Sequence, residues 1–213
     1  EIYDDFYTSI YDQLVYDNVK NDFEVGEIKR LIKPSQQSRV LDIGSGNGHH
    51  VKLLKKNGYN AEGVDKSSAM VKSAKEKYPK CSFKQGDVLE SMLYPGDSFS
   101  TITCLYFTIY YINDKKQFFQ NCYNWLMPGG YLVLHLVNRD KFDPILNAAD
   151  PLHLVSAQKY AKERITNSLV KFNDFQYKAN FSLDKSKNLA EFDETFKDDK
   201  SGHVRQNKHK LLM

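Results

Sequence analysis

Apolar and polar positions along the first 140 residues fall into five short β-rich runs separated by stretches of helical period, the pattern of a parallel sheet with crossover helices. Arg39–Ile43 is the first run, and residues 50–56 carry helical spacing that Asn57-Gly58 closes as a C-cap signal. Asn60–Asp65 is the second. A helix then starts at Ser67 or Ser68, carries Met70, Val71 and Ala74 on one face, and stops before Pro79. Residues 81–85 and 98–105 are the third and fourth strands, the latter after a Pro95-Gly96-Asp97 turn. Asn113 or Asp114 caps a helix through Leu126 whose buried side is Phe118, Phe119, Cys122, Trp125 and Leu126. Pro128-Gly129-Gly130 breaks it, and residues 131–137 are the fifth strand.

Before the first strand, Tyr3, Tyr7, Tyr11 and Tyr16 mark N-terminal helical turns. Beyond about residue 140 the pattern changes: a helical piece near 156–164 is followed by strict alternation. Phe175, Tyr177, Ala179, Phe181 and Leu183 alternate with polar residues, and Ala190, Phe192, Glu194 and Phe196 follow a polar turn, which predicts an antiparallel meander of two or three strands. Residues 203–210 read as a strand leading onward. The expected division is a core over residues 1–140 and a connector with a β extension over 141–213, the C-terminus being open to truncation.

Composition narrows the class. With 213 residues, 41% apolar and 27% charged, the chain is sized for one globular domain plus an embellishment. A net charge of +3 is too small a surplus to imply a nucleic-acid or membrane surface. No apolar run is long enough to span a bilayer, and Asp4, Asp5, Asp12, Asp17 and Asp22 argue against a leader peptide, so a cytoplasmic protein is expected. Cys81, Cys104 and Cys122 are far apart in apolar stretches and read as buried reduced thiols, with neither a disulfide framework nor metal-ligand spacing.

The chemistry concentrates after the first strand. Gly44, Gly46 and Gly48 alternate with Ser45 and Asn47, so the backbone can turn sharply and pass close to a ligand. The spacing differs from the dinucleotide fingerprint by one residue, and Asp42, two residues before the first glycine, would repel a pyrophosphate and suits a ligand carrying positive charge. Asp65 ends the second strand, where an acid can accept hydrogen bonds from both ribose hydroxyls, a feature shared among nucleotide cofactors. Gly86-Asp87-Val88 ends the third, with Asp87 a suitable acceptor for an adenine amino group.

In the Asp42-x-Gly44-x-Gly46-x-Gly48 loop, Gly63-Val64-Asp65, Gly86-Asp87-Val88 and Leu126-x-Pro128-Gly129-Gly130, the chain resembles the class I S-adenosylmethionine-dependent methyltransferases over residues 39–137. The resemblance implies a Rossmann-like α/β fold with S-adenosylmethionine as cofactor and S-adenosylhomocysteine as product. It further implies that the loop from Asp42 to Gly48 wraps the amino-acid portion, that Asp65 holds the ribose, that Lys66 and Met70 flank the adenine, and that Asp87 with Val88 reads its edge. Leu105 and Tyr106 would supply a carbonyl to the ammonium and line the methyl-transfer site. An N-terminal segment often closes over the cofactor in this family, which makes Tyr11 and Tyr16 lid candidates.

An amine or hydroxyl acceptor must lose a proton, which asks for a base near the strand ends. His135 and His153 are the histidines in that neighbourhood, although alternation over residues 132–137 equally accommodates His135 as a sheet residue. His49 and His50 read as helix-start or surface groups. Tyr106, Phe107, Tyr110 and Tyr111 lie where an acceptor would sit, and aromatic faces can hold a cation. Arg139, in a segment weakly resembling the substrate side of glycine N-methyltransferase-like enzymes, could grip a carboxylate or phosphate.

The expectation is transfer to a nitrogen or oxygen of a small molecule. An RNA or protein methyltransferase is the enzyme alternative, permitted by Lys200, Arg205, Lys208 and Lys210. A nicotinamide-dependent oxidoreductase and a non-catalytic cofactor-binding subunit are the alternatives of another kind. An exposed meander edge invites pairing with a second chain, so a dimer is expected.

Overall fold

The structure is a computed structural model that describes residues 2–35, 37–139 and 161–213. The chain forms two compact units, residues 3–10 with 17–136, and residues 11–16 with 137–213.

In the first unit, parallel strands β1 (Arg39–Ile43), β2 (Asn60–Asp65), β3 (Ser82–Gln85), β4 (Phe99–Cys104) and β5 (Leu126–Leu134) form a sheet in the order β3-β2-β1-β4-β5. The order reverses between β1 and β4, and open α/β sheets bind ligands in the crevice at the carboxyl ends beside such a reversal. Val40, Leu41 and Ile43 are fully buried, as a strand covered on both faces requires. Helices α3 (His49–Lys56) and α4 (Ser68–Lys77) cross over between neighbouring strands. α3 buries Val51 and Leu54 and turns three lysines outward, and Ser67 caps α4 by accepting from the Met70 N–H at 3.1 Å.

Several elements differ from the sequence expectation. The N-terminal segment is two helices, α1 (Asp5–Val15) and α2 (Asn18–Leu31), and α2 was not anticipated because only Asn21, Val25 and Ile28 of its fourteen residues are buried. A short α5 (Thr108–Tyr111) follows β4. In α6 (Lys115–Trp125), capped by Asp114, residues Phe118, Cys122 and Trp125 are buried but Phe119 is 42% exposed, because residues one apart on a helix do not share a face. Leu126 is already a strand residue opposite Phe99, and the register then jumps to Tyr131 opposite Thr101. Pro128-Gly129-Gly130 therefore makes a bulge inside β5, where proline's missing N–H costs no ladder bond. Cys104 and Cys122 are buried, and burial pushes both thiols up; Cys81 is only half-buried. Among the described residues no helix is long and apolar enough to cross a membrane.

The second unit carries an antiparallel sheet of four strands, not two or three: β6 (Asn167–Lys171), β7 (Phe175–Asp184), β8 (Leu189–Asp198) and β9 (Val204–Leu212), paired in that order. Residues 203–210 are thus the last strand of this sheet, and the meander supplies no strand to the parallel one. The strand expected over residues 203–210 is therefore present, with two of its three buried positions, Asn207 and His209, polar. The helical piece expected near 156–164 falls largely outside the described residues, and residues 161–164 are not helical.

Those polar residues share one acceptor. Glu194, 1% exposed, accepts from the Tyr177 hydroxyl at 2.8 Å and from Asn207 at 3.4 Å, and lies 2.7 Å from His209 Nε2. Removing one member of a buried charged cluster strands the others, at a cost of roughly 3–5 kcal/mol. Glu194→Ala should lower stability by about that amount in urea denaturation, and a loss below about 1 kcal/mol would show that the cluster does not act as a buried network.

Candidate functional site

At the carboxyl end of β1, Gly44, Gly46 and Gly48 have φ of 68°, 50° and 83°, the left-handed region that favours glycine. The Gly44 and Ser45 N–H groups donate to Val64 O at 2.8 and 3.1 Å, which ties the loop to β2. A Cβ at Gly44 would collide with Thr108 of α5, whereas a Cβ at Gly46 would meet nothing within 4 Å. The loop is therefore packed at its start and open at its middle. Gly48 caps α3 with no side-chain bond, so no cap side chain competes for the first-turn amides.

Asp65 braces this opening. Its Oδ2 accepts from the Gly46 N–H and its Oδ1 from the Ser67 N–H, both at 2.9 Å. Asp87 lies beyond β3, beside β2 on the same edge, and there Lys66 Nζ donates to its Oδ2 at 2.7 Å while the Leu89 N–H donates to Oδ1 at 3.0 Å. The Lys66 ammonium holds the Asp87 carboxyl below the usual carboxylate range. Asp87 is thus already engaged, by a lysine expected to flank adenine. Gly86 N–H donates to Asp65 O at 3.0 Å, the Val88 carbonyl accepts from Asn121 of α6 at 2.8 Å, and Met70 is buried.

After β4, Leu105 is buried and Tyr106 has φ of 54°, an outlying conformation for a bulky side chain and one that clusters at functional edges. Lys20 Nζ sits 4.8 Å from the Tyr106 ring centroid, and Tyr110 is buried in α5.

Lys20 leads to a group the sequence did not reveal. One turn further along α2, Glu24 takes Lys20 Nζ at 3.3 Å and His50 Nε2 at 2.7 Å on Oε2, and its Oε1 lies 3.2 Å from His135 Nδ1. Burial alone would raise its carboxyl, but the His135 and His50 imidazoles and the Lys20 charge more than reverse this, and it is held far below the usual range. Lys20 and Glu24 stand at i,i+4, a spacing visible in the sequence but common on solvated helix faces. His50 is consequently no simple surface group, and His49 Nδ1 lies 2.7 Å from the Tyr78 hydroxyl.

Asp42 is 2% exposed and accepts from Thr103 Oγ1 at 2.7 Å. Burial pushes its carboxyl up to about 6, against the lowering effects of His50 and Thr103.

The N-terminal residues brought to this edge are Tyr3, whose carbonyl accepts from Ser67 Oγ at 2.5 Å, and Tyr7, whose ring meets Tyr3 edge-on at 5.2 Å. Tyr11, Tyr16 and Arg139 belong to the second unit, where the Arg139 guanidinium donates to Asn188. His153 and the segment after Arg139 lie outside the described residues.

A parallel sheet with a glycine loop at its reversal point, and acids at the ends of β2 and β3, defines a Rossmann-like α/β protein. Comparison with known proteins agrees with the sequence resemblance: the methyltransferase domain family matches residues 40–130, and the proteins similar to the chain include S-adenosylmethionine-dependent methyltransferases. It is 32% identical over 108 residues to phosphoethanolamine N-methyltransferase of Plasmodium falciparum, a match covering 48% of this chain and 40% of that one. It is 31% identical over 143 residues to carboxy-S-adenosyl-L-methionine synthase of Campylobacter curvus, covering 62% and 59%. The chain thus spans about half the length of the curated relatives it matches. The fold is shared with an S-adenosylmethionine-bound amino pentose methyltransferase from Micromonospora echinaspora, at a TM-score of 0.67 and 17% identity, over 100% of this chain and 84% of that one.

Proposed function

We propose that the protein transfers the methyl group of S-adenosylmethionine to a nitrogen or oxygen of a small-molecule acceptor and releases S-adenosylhomocysteine. The observation that carries this reading is the open middle of the glycine loop, with Gly46 free of neighbours on the side a Cβ would occupy and its N–H held by Asp65. The phosphoethanolamine N-methyltransferase relative supports a small acceptor.

The donor supplies a methyl group already activated on a sulfonium, so the chain's own residues have to align the acceptor, exclude water and take up a proton. In this reading residues 44–48 hold the amino-acid portion and Asp65 holds the ribose. Lys66, Met70, Asp87 and Val88 form the adenine side, with Lys66 and Asp87 acting as the ion pair they already make. Leu105 and Tyr106 line the transfer site, Tyr110 serves the acceptor, and His135 takes the acceptor's proton.

Titration calorimetry and thermal shift on the full chain test the reading. S-adenosylhomocysteine should give saturable heat and a rise in Tm, since a ligand at about 100 times its Kd adds about 2.7 kcal/mol to stability. Nicotinamide adenine dinucleotide should give neither. A response to the dinucleotide alone, or no response to S-adenosylhomocysteine at saturating concentration, sinks the proposal.

A further inference from the structure

We propose that Glu24 is a positioning residue for His135: its carboxylate fixes the imidazole proton on Nδ1 and so leaves Nε2 as the basic nitrogen. The inference rests on the methyltransferase reading for its purpose, but its geometry stands on the chain's own atoms.

Glu24 divides its two oxygens between two imidazoles, Oε2 to His50 Nε2 at 2.7 Å and Oε1 to His135 Nδ1 at 3.2 Å. The first is a well-formed hydrogen bond. The second is an ion-pair approach without full alignment: His135 Nδ1 is buried and has no hydrogen bond of good geometry, which makes it the kind of buried polar atom that calls for an explanation. Its neighbour supplies one. An ionised carboxylate only accepts, so the nitrogen facing it must be the one that carries hydrogen. The His135 side chain is 36% exposed although Nδ1 is buried, so its accessible surface lies on its other atoms.

Position gives this tautomer its use. The His135 N–H donates to Cys104 O at 3.1 Å, which fixes the residue at the carboxyl end of β4, immediately beside Leu105 and Tyr106. Lys20, which shares Glu24 with the histidines, also stands over the Tyr106 ring. The charged and titratable groups around His135 are then Glu24 and Lys20 from α2 and His50 from α3, with buried Asp42 of β1 coupled to Glu24 and His50.

The step balances as follows. The acceptor's N–H or O–H proton passes to His135 Nε2, the acceptor's electron pair forms the bond to the methyl carbon, and the pair of the broken S–CH₃ bond stays on sulfur. The resulting imidazolium keeps its Nδ1–H on Glu24, and the extra proton leaves from Nε2 to solvent. Holding one tautomer with a carboxylate is the arrangement that makes an imidazole an oriented base.

The test is the ¹⁵N–¹H correlation spectrum of the histidine rings in the full chain at pH 8, with His135 assigned by the loss of its signals in His135→Gln. The wild type should show hydrogen on Nδ1 of His135 and not on Nε2, and Glu24→Ala, which leaves no acceptor there, should lose that single tautomer, whereas His50→Gln should keep it. Circular dichroism confirms that each variant is folded. Hydrogen on Nε2 of His135 in the wild type overturns the proposal whatever the variants do, and so does an unchanged His135 spectrum in folded Glu24→Ala. Calorimetry with S-adenosylhomocysteine separates the two ideas: wild type with the expected tautomer but no binding would overturn the function and leave the pairing intact.

Discussion

Asp65→Ala is expected to weaken S-adenosylhomocysteine binding by about 100-fold or more in titration calorimetry. The carboxylate accepts from Gly46 N–H and Ser67 N–H, both at 2.9 Å, so it is a brace for the loop before it is a ligand for ribose. A hydrogen bond to a charged group contributes about 1.5–3 kcal/mol, and 2.7 kcal/mol corresponds to a factor of about 100. Alanine removes both braces together with any bond to the ribose. Asp65→Asn retains one oxygen acceptor and should lose less, so the series Asp, Asn, Ala should fall in that order. If alanine binds within about threefold of wild type, the loop does not depend on this carboxylate and the cofactor site has been placed wrongly.

What the sequence made legible follows from how local each signal is. Val40, Leu41 and Ile43 are fully buried neighbours in one strand, so β1 reads as an apolar run without knowledge of its partners. Gly44, Gly46 and Gly48 read as a ligand loop because positive φ restricts residue choice at single positions. Glu24 did not read at all. Its partners His50 and His135 come from α3 and the end of β5, and α2 itself looks like a charged surface helix. Asp87 shows the same limit from the other side: a carboxylate at a strand end is visible, but the Lys66 ammonium resting on it is a matter of three-dimensional proximity. The strand over residues 203–210 was legible but its partner was not, because its inward residues Asn207 and His209 satisfy Glu194, and alternation scored on apolarity passes over buried polar pairs. The chemistry of this site is therefore split. The cofactor side is written in backbone constraints, and the proton-handling side in contacts between residues far apart in the chain.

The second large effect belongs to Asp42. In the native state its carboxyl is pushed up to about 6 by burial, against an ordinary value of 3.8. The folded protein therefore holds more protons than the unfolded chain between those values, so stability falls as pH rises through the window. By pH 7 the accumulated cost is about 3 kcal/mol. Asp42→Asn keeps an oxygen for the Thr103 hydroxyl, which donates at 2.7 Å, and removes the buried charge. Urea denaturation should find the variant more stable than wild type by up to about 3 kcal/mol at pH 7, with the difference vanishing toward pH 4. Comparing the two proteins at each pH removes Glu24's own contribution, which works in the opposite sense and favours the native state above its unfolded value of 4.5, and leaves only its repulsion of Asp42 in the difference. A buried charge that costs stability needs a use, and a cationic donor is the use this site offers. The same variant should therefore lose more affinity for the positively charged S-adenosylmethionine than for the neutral sulfide of S-adenosylhomocysteine. Equal losses for the two ligands would show that Asp42 does not sense the sulfonium, and a variant no more stable than wild type at pH 7 would show that its charge is not buried at a cost.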